Sequence, residues 1–465
     1  MILNDLCYLS IGEAAALFRE RKLSPVELVD AYLARIGKLD PRLNCYVAVF
    51  RDRARTEALR AEWDFARGEF RGPMHGIPVA LKDLFDMAGL PAGANTRVLK
   101  DRMSTQDALL VDKLRHAGAI LLGKLQMHEF AMGSPLLNDP VPPARNPWDL
   151  ERMPGGSSSG SAAALAAGLC AGSYGSDTGG SIRHPAAHTA TVGLKPTYGL
   201  VSRRGAVALT WSMDHIGPMA RRVEDTAILL QVVAGYDPAD PGSAEVAIPA
   251  YRDALGGSIH GLRVGVPTAY VESLAATEVM ALFAEATKAL SELGAEVRDI
   301  ALPSIHHAGP IFLTILLAEA VAYHEDWLSR RADQYGRDMW LRLLPGLAFS
   351  AADYVQAQRG RAMLCRQMNE LMQAVDLIAT PTMPRTAMTF AESAAAPPVP
   401  RSPFTRLANI TGQPSISLPC GFYEGLPVGL LLTGRVFEEA RVLQVADAYE
   451  RATNWHHRRP NLGLN

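Results

Sequence analysis

Little in this sequence points toward a disulfide scaffold, a nucleic acid or a membrane. Its five cysteines (Cys7, Cys45, Cys170, Cys365, Cys420) are scattered, odd in number and never in CxxC spacing, which argues against a disulfide framework and a zinc ribbon. No basic block of five or more residues occurs, and 46 Lys+Arg against 48 Asp+Glu leave a net charge of −2. A nucleic-acid footprint is therefore not expected. No stretch of about 18 apolar residues is present; the nearest candidate, Leu313 to Val321, is interrupted by Thr314 and Glu319. The opening residues, Met1 to Leu6, lack a basic segment before an apolar run and do not read as a signal peptide. These absences predict a soluble, reduced, cytoplasmic protein.

What is present is ordinary globular material. Hydrophobic residues make up 48% and charged residues 20% of the chain, enough for a sizeable core. At roughly 100–200 residues per domain, the length suggests two to four domains, although single α/β domains of this size exist.

The first 70 residues read as helical. Ser24-Pro25-Val26-Glu27 supplies a cap, a proline at the first helical position and an acid at the third,. Leu28, Val29, Tyr32, Leu33 and Ile36 then share one face. Arg51 to Gly68 reads as a second, solvated helix. Gly76 to Asp83 is a short apolar strand ending in Lys82, Asp107 to Gly118 a helix closed by glycine, and Ala119 to Gly123 a buried strand. Strand and helix signals alternate onward: 262–266, 279–293, 295–300, 376–380, 415–418, 428–432 and 438–451. That alternation favours an α/β sandwich on a mixed sheet. Asp237 to Pro249 and Glu392 to Pro403 are the candidate linkers.

The densest signal runs from Pro154 to Ala187. Pro154-Gly155-Gly156-Ser157-Ser158-Ser159-Gly160-Ser161 feeds an alanine-rich helix, and Gly175-Ser176-Asp177-Thr178-Gly179-Gly180-Ser181 follows. A flexible linker is the plain reading of Gly/Ser runs, but a helix of small residues suits close packing. A phosphate loop needs a lysine that is absent here. The adjacent Gly155 and Gly156 break a dinucleotide fingerprint, and no G-x-S-x-G elbow surrounds Ser157 or Ser181. A serine nucleophile fits better. Glycines leave backbone N–H groups free for a developing oxyanion, and Ser181 reads as a turn entering a helix. Its base remains open on these grounds among His184, His188 and Lys82, whose apolar strand would lower its pKa.

Lys82, Ser157 and Ser181 together resemble the amidase signature family of serine hydrolases. The likeness covers 72–86, 107–123, 153–225 and the region Gly425 to Leu430. It implies one α/β domain over 1–465, a large twisted mixed sheet sandwiched by helices. Within it, 1–70 is a helical segment, 72–225 a core carrying the motifs, and 226–465 the remaining sheet, helices and variable pocket region. It also implies a Ser–cis-Ser–Lys triad of Ser181 (nucleophile), Ser157 (bridge) and Lys82 (base), with a cis bond between Gly156 and Ser157. The N–H groups of Thr178, Gly179, Gly180 and Ser181 would form the oxyanion hole, and no cofactor or metal would be needed. Ser157 and Ser181 stand 24 positions apart, the spacing of the family.

The implied activity is hydrolysis of a small amide through an acyl-enzyme on Ser181. Two alternatives stand beside it: the glutamine-hydrolysing subunit of a tRNA-dependent amidotransferase, and a non-catalytic relative. The partner expected is a small-molecule amide, with no nucleic acid or membrane; the resemblance allows a homodimer. The sequence departs from the family pattern at His188 to Val192 and at Ala94-Asn95. His188 reads more readily as a satisfied core histidine than as a pocket residue. His184 and His188 lack the acidic or cysteine neighbours of a metal pair. Met132 and Trp211 are further candidates for the substrate pocket, and the proline-rich loop Ser134 to Ala144 for its mouth. Eight of the 16 methionines lie between Met74 and Met219 and read as core filling,.

Overall fold

A computed structural model of the chain describes residues 3–91, 93–133, 141–395 and 403–463. Its frame is one mixed sheet of eleven strands: β1 (Tyr46–Val49), β2 (Pro78–Lys82), β3 (Ile120–Leu125), β4 (Gly172–Asp177), β5 (Val192–Lys195), β6 (His215–Ala220), β7 (Arg263–Val266), β8 (Glu296–Asp299), β9 (Leu377–Pro381), β10 (Ser415–Tyr423) and β11 (Leu426–Gly434). They lie in the order β1-β3-β2-β4-β6-β5-β10-β11-β9-β7-β8. β2 runs parallel to both β3 and β4, while β4–β6 and β10–β11 are antiparallel. The sheet is continuous from N-terminal to C-terminal strands, so the chain forms a single large α/β domain.

The alternating segments predicted from periodicity are found within a few residues of their expected limits. The Ser24 cap is a full capping box on the helix Pro25–Leu43. β4, by contrast, is not legible as a strand, because Gly-Ser-Tyr-Gly-Ser-Asp has neither alternation nor an apolar run. Its composition is explained by what covers it. Successive side chains of a strand alternate faces. A side chain at Gly172 would strike Leu229 of the helix Val223–Val233, and one at Gly175 would strike Ser158 and Ile182. Helices thus press on both faces of β4, and only small residues admit them.

Asp237 to Pro249 is not a linker between domains. Asp237 accepts hydrogen bonds from Ser202 Oγ (2.6 Å) and Arg204 Nε (2.9 Å), and Asp240 is bound by Arg203. The segment is clasped to the body of the domain. Of Glu392 to Pro403, residues 396–402 lie outside the described residues. The helical stretch Ile305–Arg330 is long and apolar enough to cross a membrane by length and composition. Counting only uninterrupted apolar residues overlooks it. In the fold its face with Phe312, Ile315 and Leu316 is buried in the core. The cysteines are free thiols, as expected from their spacing.

Two carboxyl groups are buried where helices meet under the sheet. Asp225 accepts from the N–H of Ile11 (2.8 Å), and Glu450 accepts from the N–H of Val223 through both oxygens (3.0 and 3.1 Å). Burial pushes Asp225 up to about 7 and Glu450 up to about 8. Asp225 Oδ2 is buried without a hydrogen-bond partner, which leaves its charged form poorly solvated,. In the unfolded chain both would lose their protons near pH 4. The folded state therefore holds more protons between about pH 4 and 8, and stability falls as pH rises through that window. Melting temperature measured from pH 5 to 9 is expected to decline in the wild type. Asp225→Asn, which keeps the acceptor for Ile11, should flatten part of that decline.

Candidate active site

Lys82 is the last residue of β2 and is fully buried. Its Nζ donates to Ser157 Oγ at 2.7 Å and to Ser176 Oγ at 2.9 Å. Ser176 comes from β4, the parallel neighbour of β2, so strand pairing delivers it. Burial drives the Lys82 pKa down to about 7, against the opposing pull of Asp177 and Asp214. The lysine is thus divided between its charged and neutral forms at neutral pH. Ser157 is held from the other side: the N–H of His128 donates to its carbonyl at 3.1 Å. The Gly156–Ser157 peptide is cis.

Ser181 sits between β4 and the helix Arg183–Thr189, at the turn expected for it. That turn is organised by Asp177, which has no exposure. Its carboxylate accepts from the N–H groups of Gly180 (2.8 Å), Ile182 (3.1 Å) and Arg183 (3.4 Å). It is also bound by the Arg183 guanidinium at 2.8 and 3.0 Å and by Asn409 Nδ2 at 2.9 Å. Burial alone would raise the Asp177 carboxyl; the Arg183 guanidinium, Asn409 and Lys195 together hold it far below the usual carboxylate range.

This arrangement corrects the expected oxyanion set. The Gly180 N–H is committed to Asp177 and is not available to a substrate oxygen. The N–H groups of Thr178, Gly179 and Ser181 have no partner among the described residues, and these three residues border the cavity. Gly180 serves another purpose. Its φ is +132°, and a side chain there would collide with His184 Nε2. Thr178 is fixed in turn by its hydroxyl, which donates to Asp214 at 2.6 Å.

Ser157, Ser181, Thr178 and Gly179 line one cavity of about 840 Å³. Ser181 Oγ makes no hydrogen bond among the described residues and shares this wall with Ser157. Met132 lines the same cavity. His188 does too, and neither ring nitrogen makes a hydrogen bond of sound geometry, although the backbone of Arg385 faces it. His188 is thus a buried residue at the cavity wall whose ring lacks a well-formed hydrogen bond. Trp211 is not in this cavity. It is 59% exposed and borders a second cavity of about 720 Å³ with Asp214, Glu319 and Ser176. Of Ser134 to Ala144, residues 134–140 lie outside the described residues.

Several participants escape a reading of the sequence. Ser176, Asp177 and Thr178 belong to a visible motif, but only pairing of β4 with β2 gives Ser176 its contact with Lys82. Asn409 and Thr405 arrive from more than 220 positions away: Thr405 Oγ1 donates to the Gly179 carbonyl at 2.7 Å and accepts from the Nε2–H of His184, also at 2.7 Å. His128 donates from Nδ1 to the Gly133 carbonyl (2.6 Å) and packs where a Gly156 side chain would be. No group of His, Cys, Asp and Glu able to hold a metal occurs among the described residues.

Known proteins resemble this chain in sequence and in fold. The Amidase family matches residues 27–443. A glutamyl-tRNA(Gln) amidotransferase subunit from Moorella thermoacetica is 40% identical, over 99% of this chain and 100% of its own length. An amidase of Pseudomonas putida is likewise 40% identical, over 99% of each chain. Among solved structures, the peptide amidase of Stenotrophomonas maltophilia superposes with a TM-score of 0.86 at 32% identity, over 97% of this chain and 98% of the other.

The Asp177–Arg183 pair can be tested directly. Removing one member of a buried ion pair leaves the other charge uncompensated, at a cost of about 3–5 kcal/mol. Arg183→Ala should lower the denaturant midpoint accordingly, and adding Asp177→Asn in the same chain should recover part of the loss. Full stability in Arg183→Ala would show that the turn is held by other contacts.

Proposed function

The chain belongs to the amidase signature family, and from that premise we propose that it hydrolyses the amide bond of a small molecule through an acyl intermediate on Ser181. The observation that carries this reading is the fully buried Lys82, hydrogen-bonded to Ser157 at the wall of the cavity that also holds Ser181. Neutral Lys82 takes the proton of Ser157, and Ser157 takes that of Ser181. Ser181 Oγ bonds to the amide carbon, and the carbonyl oxygen becomes an oxyanion bound by the N–H groups of Thr178, Gly179 and Ser181. The C–N bond then breaks, and the departing nitrogen receives the proton back through Ser157. Water repeats the sequence on the acyl-enzyme, releasing the acid and restoring Ser181. A base with a pKa near the working pH can serve both half-reactions.

A second reading has its own support. The 40%-identical relative from Moorella belongs to an amidotransferase, and in that role the chain would release ammonia from glutamine for a partner protein. The equally similar amidase of Pseudomonas supports the free-standing reading. Ammonia release by the purified chain from aliphatic, aryl, peptide and ureido amides, with glutamine included, separates the two. Turnover of non-glutamine amides by the single chain supports the first. Turnover of glutamine alone, and only with a partner, supports the second.

The relay makes quantitative claims. Lys82→Met, which preserves the apolar stem, should lower kcat by about 100- to 10,000-fold. Ser181→Ala should reduce turnover to background. Lys82 must be neutral to act, so kcat/KM should fall tenfold per pH unit below about 7 and level off above it,. Full activity in Lys82→Met would falsify the relay.

A further inference from the structure

The cavity wall holds a hydrogen-bond acceptor that the relay through Lys82 leaves unused. His184 stands one turn after Ser181, at the start of the helix Arg183–Thr189, and its backbone N–H donates to the Gly180 carbonyl at 2.7 Å. Its ring lies against Gly180, where a side chain would strike Nε2 and Cε1. A side chain at Gly155 would meet the backbone of His184 and Pro185 at 2.9 to 3.1 Å. The turn that carries Ser181 and the turn that carries Ser157 are therefore packed on the same first helical turn, and His184 lines the cavity they share.

The direction of two hydrogen bonds fixes the proton on this ring. A hydroxyl has one proton to give. Thr405 Oγ1 gives it to the Gly179 carbonyl at 2.7 Å, so toward His184 it can only accept, and His184 carries its proton on Nε2,. Burial pushes His184 down to about 3, so the ring is neutral near pH 7. Nδ1 then bears a bare lone pair. No hydrogen bond reaches it among the described residues, and, unlike Nε2 of His128 and both ring nitrogens of His188, it is not sealed off by burial. His184 itself is partly exposed.

We propose that His184 Nδ1 accepts an N–H of the scissile amide, and that this contact makes the site select amides over esters. The inference rests on the amide-hydrolase reading, and it holds for a free-standing amidase and for a glutamine-hydrolysing subunit alike. An ester has no N–H to offer, so its binding leaves Nδ1 desolvated without a partner, and a site built around such a bond rejects the analogue that lacks it. The contact also serves the chemistry. As the carbonyl carbon becomes tetrahedral, the nitrogen gains the lone pair that must take a proton from Ser157. A nitrogen held by one N–H has fewer directions in which to point that lone pair. Primary and N-monoalkyl amides fit this site; a tertiary amide, with no N–H, does not.

The test measures kcat/KM for amides against the methyl esters of the same acids: butyramide, benzamide, and glutamine against its γ-methyl ester. Esters are the more reactive by nature, so the readout is the amide-to-ester ratio and how it changes. His184→Phe, which keeps a planar ring without nitrogen, should lower that ratio by about 10- to 100-fold. His184→Gln, whose side-chain carbonyl can accept, should restore part of it. An unchanged ratio in His184→Phe, or amide and ester falling together, assigns the ring a packing role and overturns the proposal while leaving the hydrolase reading intact. Contact is read separately by nitrogen NMR of Ser181→Ala labelled at histidine, near pH 7, where turnover plays no part; His184→Gln in the same background identifies the resonance. The bare Nδ1 signal should move on adding an amide and stay in place with its ester. No movement, or equal movement with both, overturns the proposal. A shift confined to amides, with no turnover of any pair by the wild type, supports the acceptor and overturns the hydrolase reading.

Discussion

The buried ion pair of Asp177 and Arg183 is the constraint on which the rest of the site depends. Neither side chain has any exposure. Desolvating two charges costs several kcal/mol per ion, and their attraction compensates only when geometry is good and the remaining lone pairs are satisfied. Here Asp177 accepts from three backbone N–H groups of the turn, from Arg183 and from Asn409, and Arg183 donates onward to the carbonyl of Thr405 and the amide oxygen of Asn409. Meeting those demands leaves the turn between β4 and the helix Arg183–Thr189 with one conformation. The N–H groups that Asp177 does not use, at Thr178, Gly179 and Ser181, are the ones at the cavity wall. Satisfying the carboxylate and leaving those N–H groups unpaired at the cavity wall are two consequences of the same fold.

The same charge also sets the state of Lys82. Full burial of an ammonium can depress its pKa by up to about 3–5 units. Burial is the dominant influence here, and Asp177 with Asp214 opposes it, leaving a value of about 7. Without the carboxylates the lysine would be a weak base, reluctant to take a proton. With a closer carboxylate it would stay charged and could not accept one. Asp214 serves both needs, since it also receives the Thr178 hydroxyl. The electrostatics of Lys82 and the shape of the turn at 177–183 are therefore coupled through two acids.

The sequence reveals the parts of this fold whose physics is local. The Ser24 capping box, the apolar run ending at Lys82 and the terminal strands 415–418 and 428–432 each declare themselves within a dozen residues, and the family likeness joins Lys82, Ser157 and Ser181. Long-range pairing hides the rest. β4 carries no periodicity because helices cover both faces, so its glycines look like loop. The commitment of the Gly180 N–H depends on where Asp177 points, which motif spacing does not specify. His188 looks like a core residue by type and is buried; only the placement of the surrounding segments sets it at the cavity wall. Trp211 belongs to a different cavity for the same reason: it lies on the loop before β6, stacked near the Arg203 guanidinium.

That division explains why relatives of equal similarity carry different names. The machinery of β2, β4 and the turns at 155–161 and 177–183 is built from small residues and backbone groups, so its chemistry is indifferent to what lies beyond the carbonyl carbon. Selection falls to later elements: the helix Ala308–Arg330, and the segments 338–345, 383–388 and 403–406. The helix is the dividing wall of the structure, giving Phe312 and Leu316 to the cavity of Ser181 and Glu319 and Tyr323 to the second one. Lys82 is held by strand pairing and by Ser157 and Ser176, none of which lies on that helix.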